Sequence, residues 1–506
     1  MGTQFTLPPD TRAIGTANPP ADMNAVVDTL KALGALYNAL NTANGGGADP
    51  TGATDVAAAI NAASTAGVAI LPPGTFLLNS STALTGPVKG AGIGLTTLKI
   101  GASFSAAAAI SITADGTEVS DLGIVGASGT TTSNPACNGI EVGGAGHVKV
   151  RDIWFKNVNG YMFEAAATGS KANVDMMVAR LIGRNCAGGV HDLGVTGTSF
   201  LGEHFFTDLQ MQQIGVTSGA NANLDALLIE DVTDVLVQGV NIGTASGTTG
   251  SAIHVKGACA TVKMTNVDVG ANSASGVSPA IHIESGTNGS PADVSIINGG
   301  AEGGGNVCQV DAGNDIVLTN LRLHQGYTSG LVVNGGDVRA LACSMSSNNQ
   351  SGGTGYDIDC SGMSSGNFRA IACQTESTVG TGTPGEVPNP VATSTHGYYF
   401  NCFFVGTGTA PSNAFTGTPQ QAVGCVGFNQ RGSVTAPSVG TSPYTPGSYQ
   451  TQLLVIFTAI NGMTQFAIGG VAVPLPVAGV PYFIGVRQSI TVTWATTAPT
   501  WQWFGL

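Results

Sequence analysis

The sequence repeats a short strand pattern from about residue 83 to 428, and this repeat constrains the fold more than any other feature. Each repeat opens with a strand of alternating apolar residues, and its first inward position recurs after about 23 to 37 residues. These inward positions are Ile110, Ile140, Phe163, Val190, Leu227, Ile253, Ile281, Cys308, Leu331 and Tyr356. Repeats of this length pack only on their neighbours, so the pattern predicts one stack of β coils.

A second piece follows each of these strands and consists of two short strands that meet at a small or polar residue. The polar residues at this junction include Asp121, Asp152, Asp208, Asn266, Asn298 and Asn320. Asn and Asp tolerate left-handed backbone, so each junction predicts a sharp corner. One strand followed by a bent pair predicts a three-faced coil, and the chain has room for about ten to twelve coils.

The segment before the repeat predicts a cap. Residues 55–66 carry Val56, Ala59, Ile60 and Ala63 at the i, i+3, i+4, i+7 spacing of an amphipathic helix, with Thr54 as its N-cap. A helix this short needs a hydrophobic surface beside it, such as the open end of a stack of strands. A Pro-Pro-Gly turn at 72–74 then separates two short strands.

These motifs carry a resemblance. The order of GADPTG (47–52), the helix and LPPGTF (71–76) resembles the start of the pectate-lyase-like right-handed parallel β-helices, especially those of phage tailspikes. Segments 18–24 and 489–503 resemble minor tail proteins of actinobacterial phages. The resemblance implies an all-β, right-handed parallel β-helix in a virion. It does not imply one chemistry, since the family includes lyases, hydrolases, epimerases and binding proteins.

Three regions follow from the resemblance and the repeat. Residues 1–46 form an N-terminal tail-attachment segment with a helix at 22–41, residues 47–430 the β-helix, and residues 431–506 a C-terminal β-sandwich-like domain. Apolar residues of the first helix alternate at spacings of three and four, which favours a bundle at the end of a homotrimer. Packing of that helix on its own β-helix is the alternative. We expect residues 1–46 to bind phage tail or baseplate proteins.

Composition narrows the partners. The formal net charge is −13 with only 17 Lys and Arg, which argues against nucleic acid. No run of 18 apolar residues occurs, so no membrane insertion is expected. No secretory signal is apparent, which suits synthesis in the host cytoplasm. The 9 cysteines show no metal-binding spacing and are expected to be buried thiols, those at 343, 373, 402 and 425 in one ladder. Neither a metal nor a cofactor is expected.

We expect catalytic or ligand-binding residues on the outward side of the first strand of each coil. Candidate residues there are Glu230, His254, Lys256, His282, Glu284 and Asp311. Glycoside hydrolysis uses two carboxylates, about 5 Å apart for retention or about 6.5–9.5 Å apart for inversion. Glu284 and Asp311 suit the first spacing, and Glu230 and Glu284 the second, with His282 or His254 as an acid or base. The alternative is that Glu230, Lys256 and Glu284 pair their charges on a solvated face.

Two other groups are candidate ligand-binding sites. His191, Asp192, Glu203 and His204 fall in the longest step of the repeat, which predicts a loop that stands off the β-helix. The alternative for this group is a solvated loop without a role. Trp501 and Trp503 could form an exposed aromatic platform for a sugar, or lie in the core of the C-terminal domain.

The sequence therefore supports three hypotheses for function. The leading one is a homotrimeric phage tail spike or fibre that attaches to a host-surface polysaccharide. Its rival is an enzyme, a glycan depolymerase of the glycoside hydrolase type. A secreted or self-associating bacterial protein is the third.

Overall fold

A computed structural model gives the architecture. It describes residues 49–166, 173–194, 202–348, 350–351, 355–360, 362–363, 365–377, 396–406, 421–423, 453–460, 462–484, 488, 490–497 and 499–505. Within these ranges the chain forms a parallel β-solenoid of about ten turns, one α-helix and a small antiparallel region. The predicted helix at 22–41 lies outside them.

One wall of the solenoid is an eleven-stranded parallel sheet in which strands follow one another in chain order. Each strand contributes the first piece of one repeat. Its strands, over the described part of the chain, are Thr82–Leu84, Ala108–Ile112, Asn138–Val142, Tyr161–Ala166, Gly188–Leu193, Leu227–Glu230, Ile253–Lys256, Ile281–Glu284, Asn306–Val310, Ser329–Val333 and Ile358–Asp359.

The other two walls belong to a nineteen-stranded parallel sheet whose longer strands bend once. Its described strands are Ala69–Ile70, Gly74–Leu78, Val88–Lys89, Thr96–Ile100, Glu118–Val125, Lys149–Lys156, Met177–Arg184, His204–Ile214, Thr233–Thr244, Ala260–Gly270, Ala292–Glu302, Asn314–His324, Asp337–Leu341, Ser344–Ser346, Asn367–Ile371, Gln374–Ser377, His396–Phe400, Phe403–Gly406 and Gln421–Val423.

The bends confirm the predicted corners. Asp121, Asp152, Asp208, Asn266, Asn298 and Asn320 all have positive φ, between 51° and 61°. Arg180, Ala342 and Ala372 stand at the same place in other coils, with φ of 52°, 51° and 53°. The left-handed backbone is therefore a requirement of the coil, and Asp or Asn meets it at low cost.

The inward positions of the eleven-stranded sheet match the predicted register. Ile110, Ile140, Phe163 and Val190 pair in sequence across neighbouring strands, and the pairing continues through Leu227, Ile253, Ile281, Cys308 and Leu331. The last predicted position is wrong, because Leu331 pairs with Ile358 and not with Tyr356. Asp359 consequently stacks on Val332, and Asp357 is buried.

The cap is a helix at Ala57–Thr65, close to the predicted 55–66. Val56, Ile60 and Ala63 are buried and belong to the solenoid core. Thr54 is not its cap; instead the Asp55 carboxylate accepts the backbone N–H of Ala57 at 3.1 Å. The turn at 72–74 closes on the segment before the helix, because a Cβ on Gly74 would lie 2.9 Å from Pro50.

One apolar core runs through the described part of the solenoid. The thiols of Cys343, Cys373 and Cys402 are buried on successive coils and each contacts a carbonyl of the preceding coil, that of Leu318, Ala340 and Ala370. The predicted thiol ladder is present over these three residues. Cys425 lies outside the described ranges.

The C-terminal region holds two three-stranded antiparallel sheets within its described residues. One consists of Leu453–Ala459, Pro481–Ile484 and Thr500–Gly505, the other of Met463–Ile468, Val471–Val473 and Ile490–Trp494. Val455, Phe457, Phe466 and Trp501 lie in their common core. Several large apolar residues remain exposed, among them Val471 and Phe483 at 67 % and 70 %.

Candidate functional site

The outward side of the eleven-stranded sheet carries a polar face made of three columns. The middle column runs through Glu141, Glu164, His191, Leu228, His254, His282 and Gln309, one residue per coil. The end column follows two residues later and runs through Leu193, Glu230, Lys256 and Glu284, and then Asp311 and Asn334. A front column, two residues before the inward position, contributes Asn138, Tyr161, Asp225 and Asn306. Neighbouring coils stand about 4.8 Å apart.

His191 joins two carboxylates on different coils. Its Nδ1 lies 2.8 Å from Glu164 Oε1 and its Nε2 3.5 Å from Glu230 Oε2. Burial disfavours the imidazolium, but the hydrogen bond to Glu164 and the nearby charge of Glu230 outweigh that cost and raise the pKa of His191 to about 9. Contact with His191 also lowers the pKa of Glu230, and Lys256 Nζ lies 3.4 Å from the other oxygen of Glu230. These four residues, Glu164, His191, Glu230 and Lys256, therefore form a cluster of paired charges on the polar face.

His254 and His282 form the centre of the face. Their rings stack with centroids 4.8 Å apart and an interplanar angle of 17°. His254 Nδ1 lies 2.8 Å from Asp225 Oδ2, and its Nε2 lies 3.1 Å from Glu284 Oε1. His282 Nε2 lies 3.7 Å from Glu284 Oε2 and 2.8 Å from Asp311 Oδ2. Burial works against protonation of His254, but Asp225 and Glu284 raise its pKa overall.

Asp311 is held by donors on its own coil and on both neighbouring coils. Besides His282, the side-chain amides of Gln309 and Asn334 donate to it, at 2.9 and 2.6 Å. Burial would raise the pKa of Asp311, yet these hydrogen bonds lower it overall. Asp311 and Glu230 are thus stabilised as carboxylates, which suits a base, a nucleophile or an anchor for sugar hydroxyls, and does not suit a proton donor.

Glu141 and Glu164 are neighbours in the middle column, one coil apart. Half-burial and the charge of Glu164 raise the pKa of Glu141, against a smaller opposing hydrogen bond from Asn138. Glu164 itself is bonded to His191 and Asn138. A carboxyl whose pKa is raised beside a carboxylate that is bonded to an imidazole is the kind of pair that acid–base chemistry uses.

The group predicted in a loop lies mostly on strands. His191 and Asp192 belong to Gly188–Leu193, and His204 to His204–Ile214. Asp192 and His204 are buried and bond to each other at 2.8 Å, with His204 Nε2 2.9 Å from the Asn173 carbonyl oxygen. The loop prediction is therefore corrected for these residues, and this buried pair is not accessible to a ligand. Glu203 is exposed and directly precedes His204–Ile214 of the nineteen-stranded sheet, beside Asp175 and Asp234.

The tryptophans also differ from the platform hypothesis. Trp501 is 2 % exposed and packs against Phe457, with ring centroids 5.3 Å apart. It is a core residue, which was the alternative interpretation. The side chain of Trp503 lies outside what the structure describes.

The structure brings together seven of the residues singled out from the sequence, namely His191, Glu230, His254, Lys256, His282, Glu284 and Asp311. Sequence reasoning missed Glu141, Glu164 and Asp225. A usable signal was present, because Glu141 and Glu164 directly follow the inward Ile140 and Phe163, as His254 follows Ile253. Asp225 stands two residues before the inward Leu227.

The fold defines the chain as a parallel β-solenoid protein, and comparison with known proteins agrees. No protein-family model matches the chain, and no curated protein matches its sequence. Solved structures that resemble it include phage tailspike proteins and β-helix enzymes. Among the residues described, no helix is long and apolar enough to span a membrane.

Three solved structures illustrate the likeness. The A-module of mannuronan C-5 epimerase AlgE6 from Azotobacter vinelandii has a TM-score of 0.51 at 16 % identity, over 75 % of this chain and 96 % of that one. The tailspike protein gp49 from Pseudomonas phage LKA1 has a TM-score of 0.45 at 12 % identity, over 88 % and 92 %. DFA-IIIase from Arthrobacter chlorophenolicus A6 has 0.45 at 12 %, over 68 % and 90 %. At such identities the likeness concerns the fold alone.

Proposed function

We propose that this chain is a phage tail protein that binds a polysaccharide of the host surface along its polar face. The observation that supports glycan binding is the alignment of polar residues in columns along the polar face. From Glu141 to Gln309 the middle column is polar on every coil except at Leu228. An extended polymer that lies along the solenoid would therefore meet hydrogen-bonding groups at each step.

The chemistry of the face favours hydroxyl-rich ligands. Carboxylates alternate with imidazoles, a lysine and amides, so acceptors and donors stand next to each other. Sugar hydroxyls donate and accept at once and are suited to such a surface. Its charges are paired within the protein, which argues against a strongly charged polymer as the ligand.

The virion assignment is supported by the sequence resemblance of the cap, of segment 18–24 and of segment 489–503. On this proposal residues 1–46 join the tail or baseplate and the protein acts in the virion as a homotrimer. Self-association is supported by the exposed apolar side chains of the C-terminal region, Val471, Leu475, Val477, Val480 and Phe483.

The binding proposal is tested with purified full-length protein and a panel of bacterial surface polysaccharides on biosensor tips. We expect one glycan to bind, and Glu284→Gln to weaken it at least tenfold. Glu302→Gln is the matched control, because it makes the same substitution on the nineteen-stranded sheet and leaves the polar face intact. Binding that is equal in both variants and wild type would remove the polar face from the proposal.

The trimer is tested separately by native mass spectrometry. We expect three copies in the wild-type particle and a shift to monomer in Phe483→Ser. The matched control is Leu95→Ser, which removes another exposed apolar side chain, 57 % exposed, from the solenoid. A wild-type monomer would contradict the homotrimer.

A second candidate function is glycan depolymerisation, and the raised pKa of Glu141 beside Glu164 favours it. Their spacing of about one coil suits a retaining glycoside hydrolase, with Glu141 as acid and Glu164 as nucleophile. Glu230, Glu284 and Asp311, with His282, stay an alternative catalytic set. Release of reducing ends from the bound polysaccharide decides between them. Loss in Glu141→Gln and Glu164→Gln supports the first pair, loss only in Glu284→Gln supports the second set, and no release by wild type supports binding alone.

A further inference from the structure

Two histidines of the polar face present the same nitrogen to the same carboxylate. His254 and His282 occupy paired positions on adjacent strands, and their rings stack nearly in parallel. The Nε2 atom of His254 lies 3.1 Å from one oxygen of Glu284, and Nε2 of His282 lies 3.7 Å from the other. Three potential ligand atoms therefore converge on one point at the surface of the sheet.

The spacing of these atoms is close to that of a metal site. One ligand atom from each of the three residues can be chosen so that all lie within 4.8 Å of one another. A tetrahedral zinc ion with bonds of about 2.0–2.1 Å separates its ligand atoms by about 3.3 Å. Small side-chain rotations would close the remaining gap. In the part of the chain that the structure describes, no other three His, Cys, Asp or Glu side chains meet in this way.

A further carboxylate orients the site. Asp225 Oδ2 lies 2.8 Å from His254 Nδ1, so the imidazole donates from Nδ1 and turns Nε2 toward Glu284. A carboxylate behind a histidine is the usual outer contact of metal-binding imidazoles, because it fixes the ring and strengthens the ligand. Asp225 comes from the front column and would not touch the metal itself.

We propose that His254 Nε2, His282 Nε2 and the Glu284 carboxylate bind a divalent first-row transition metal, best represented by Zn²⁺. Two imidazole ligands and one carboxylate favour zinc and its neighbours over Ca²⁺ or Mg²⁺, which take oxygen ligands. The three side chains are 12 %, 14 % and 30 % exposed, so an ion can reach them from solvent. The fourth position points outward and is left for water or a ligand oxygen.

Asp311 has a defined part in this site. It accepts a bond from His282 Nε2 at 2.8 Å, and this bond must open for the metal to bind. Gln309 and Asn334 still hold the Asp311 carboxylate after that change. Asp311 then stands beside the fourth position, where it can accept a hydrogen bond from metal-bound water.

The sequence did not indicate this site, since His254 and His282 are far apart in the chain and match no short metal motif. The site also does not depend on the function proposed above. An adhesin and an enzyme could both use it, and a protein with neither function could still bind the ion.

The test is isothermal titration of untagged, full-length, chelator-treated protein with ZnCl₂, with metal content checked by mass spectrometry after dialysis. We expect one Zn²⁺ per chain. His282→Gln and Glu284→Gln should each lower the affinity at least tenfold, and Asp225→Asn about tenfold through the lost orientation of His254. CaCl₂ in excess should not displace the zinc.

His324→Gln is the matched control. His324 lies 3.3 Å from Glu302 on the nineteen-stranded sheet, so the same change there removes an imidazole without touching the site. Circular dichroism confirms that every variant is folded. Absence of zinc binding at micromolar concentration in wild type, or binding that persists unchanged in His282→Gln and Glu284→Gln, would overturn the proposal.

Discussion

The solenoid stacks polar residues in two places, at the corner of the nineteen-stranded sheet and on the polar face, for different physical reasons. At the corner the backbone needs positive φ, and even Ala342 and Ala372 adopt it. On the polar face the backbone is an ordinary extended strand that accepts Leu228 and Val332 equally well. The backbone conformation therefore explains why Asp and Asn recur at the corner. It does not explain why polar residues recur on the polar face.

This difference separates structural from functional ladders. Asn320 and Asn298 bond to each other along the corner at 2.9 Å and are both exposed, yet the backbone alone explains them. His254, His282 and Glu284 form a denser network where apolar residues would also fold. We infer that substitutions at the corner change stability, whereas substitutions on the polar face change binding.

The largest loss of stability is expected at Asp192, a charged residue of the eleven-stranded sheet that is buried in the core. Asp192→Asn should lower the free energy of unfolding by about 3 kcal/mol, because it leaves the buried His204 without its charged partner. Urea denaturation measures the change. Asp208→Asn is the control at an exposed corner and should cost less than about 0.5 kcal/mol. Equal losses of stability in the two variants would show that the buried Asp192–His204 pair does not stabilise the fold.

The second largest effect is a loss of stability as the pH rises, and it depends on His191. The pKa of His191 rises from 6.5 to about 9 on folding, because Glu164 and Glu230 favour the imidazolium. Its contribution is therefore complete below pH 6.5 and is lost as pH rises toward 9, with an upper bound of about 3 kcal/mol. Thermal melts of wild type should fall over this window, and those of His191→Gln should fall less. His147→Gln, at an exposed histidine, should follow the wild type.

A corner substitution should have a moderate effect. Asn320→Val places a β-branched residue at a φ of 51° and should cost about 1–2 kcal/mol. Asn320→Gly is the matched variant, since glycine accepts this backbone, and should remain near wild type. If valine were tolerated as well as glycine, the backbone explanation of the corner would fail.

The smallest effect on stability is expected on the polar face itself. Glu284→Gln removes a partly exposed carboxylate from two imidazoles and should cost less than about 1 kcal/mol. Chemical denaturation beside the binding assays tests this. A cost as large as that of Asp192→Asn would mean that the polar face is structural, and the contrast with the corner would disappear.

Local patterns in the sequence predicted most of the fold. Inward apolar positions recur once per coil, so register followed from hydrophobic alternation through Leu331, and polar junctions marked the corners. The prediction failed at Tyr356, where Ile358 takes the inward position, because a shift of two residues preserves the alternation. The N-cap prediction at Thr54 is wrong, because the helix begins later, at Ala57, and the first-turn N–H of Ala57 is accepted by Asp55.

The candidate site was only partly predictable. Stacking of known columns brought His254, His282, Glu284 and Asp311 together, as expected from the repeat. Asp192 was expected in a loop, because the long step hid that it occupies an inward position between Ala165 and Ile229. The raised pKa of Glu141 and the role of Asp225 depend on side-chain contacts between coils, which the order of residues does not contain.

The sequence by itself determined the solenoid, its cap and its corners, because each of these depends on contacts within one repeat or with the next copy of the same pattern. Only the tertiary structure decided which polar residues meet. Side chains about 28 residues apart lie one coil apart in space, and whether they form an ion pair, a metal site or a buried bond is set by side-chain direction and burial. His191 and Asp192 are adjacent in sequence, yet one joins the polar face and the other enters the core, since alternate residues of a strand point to opposite sides.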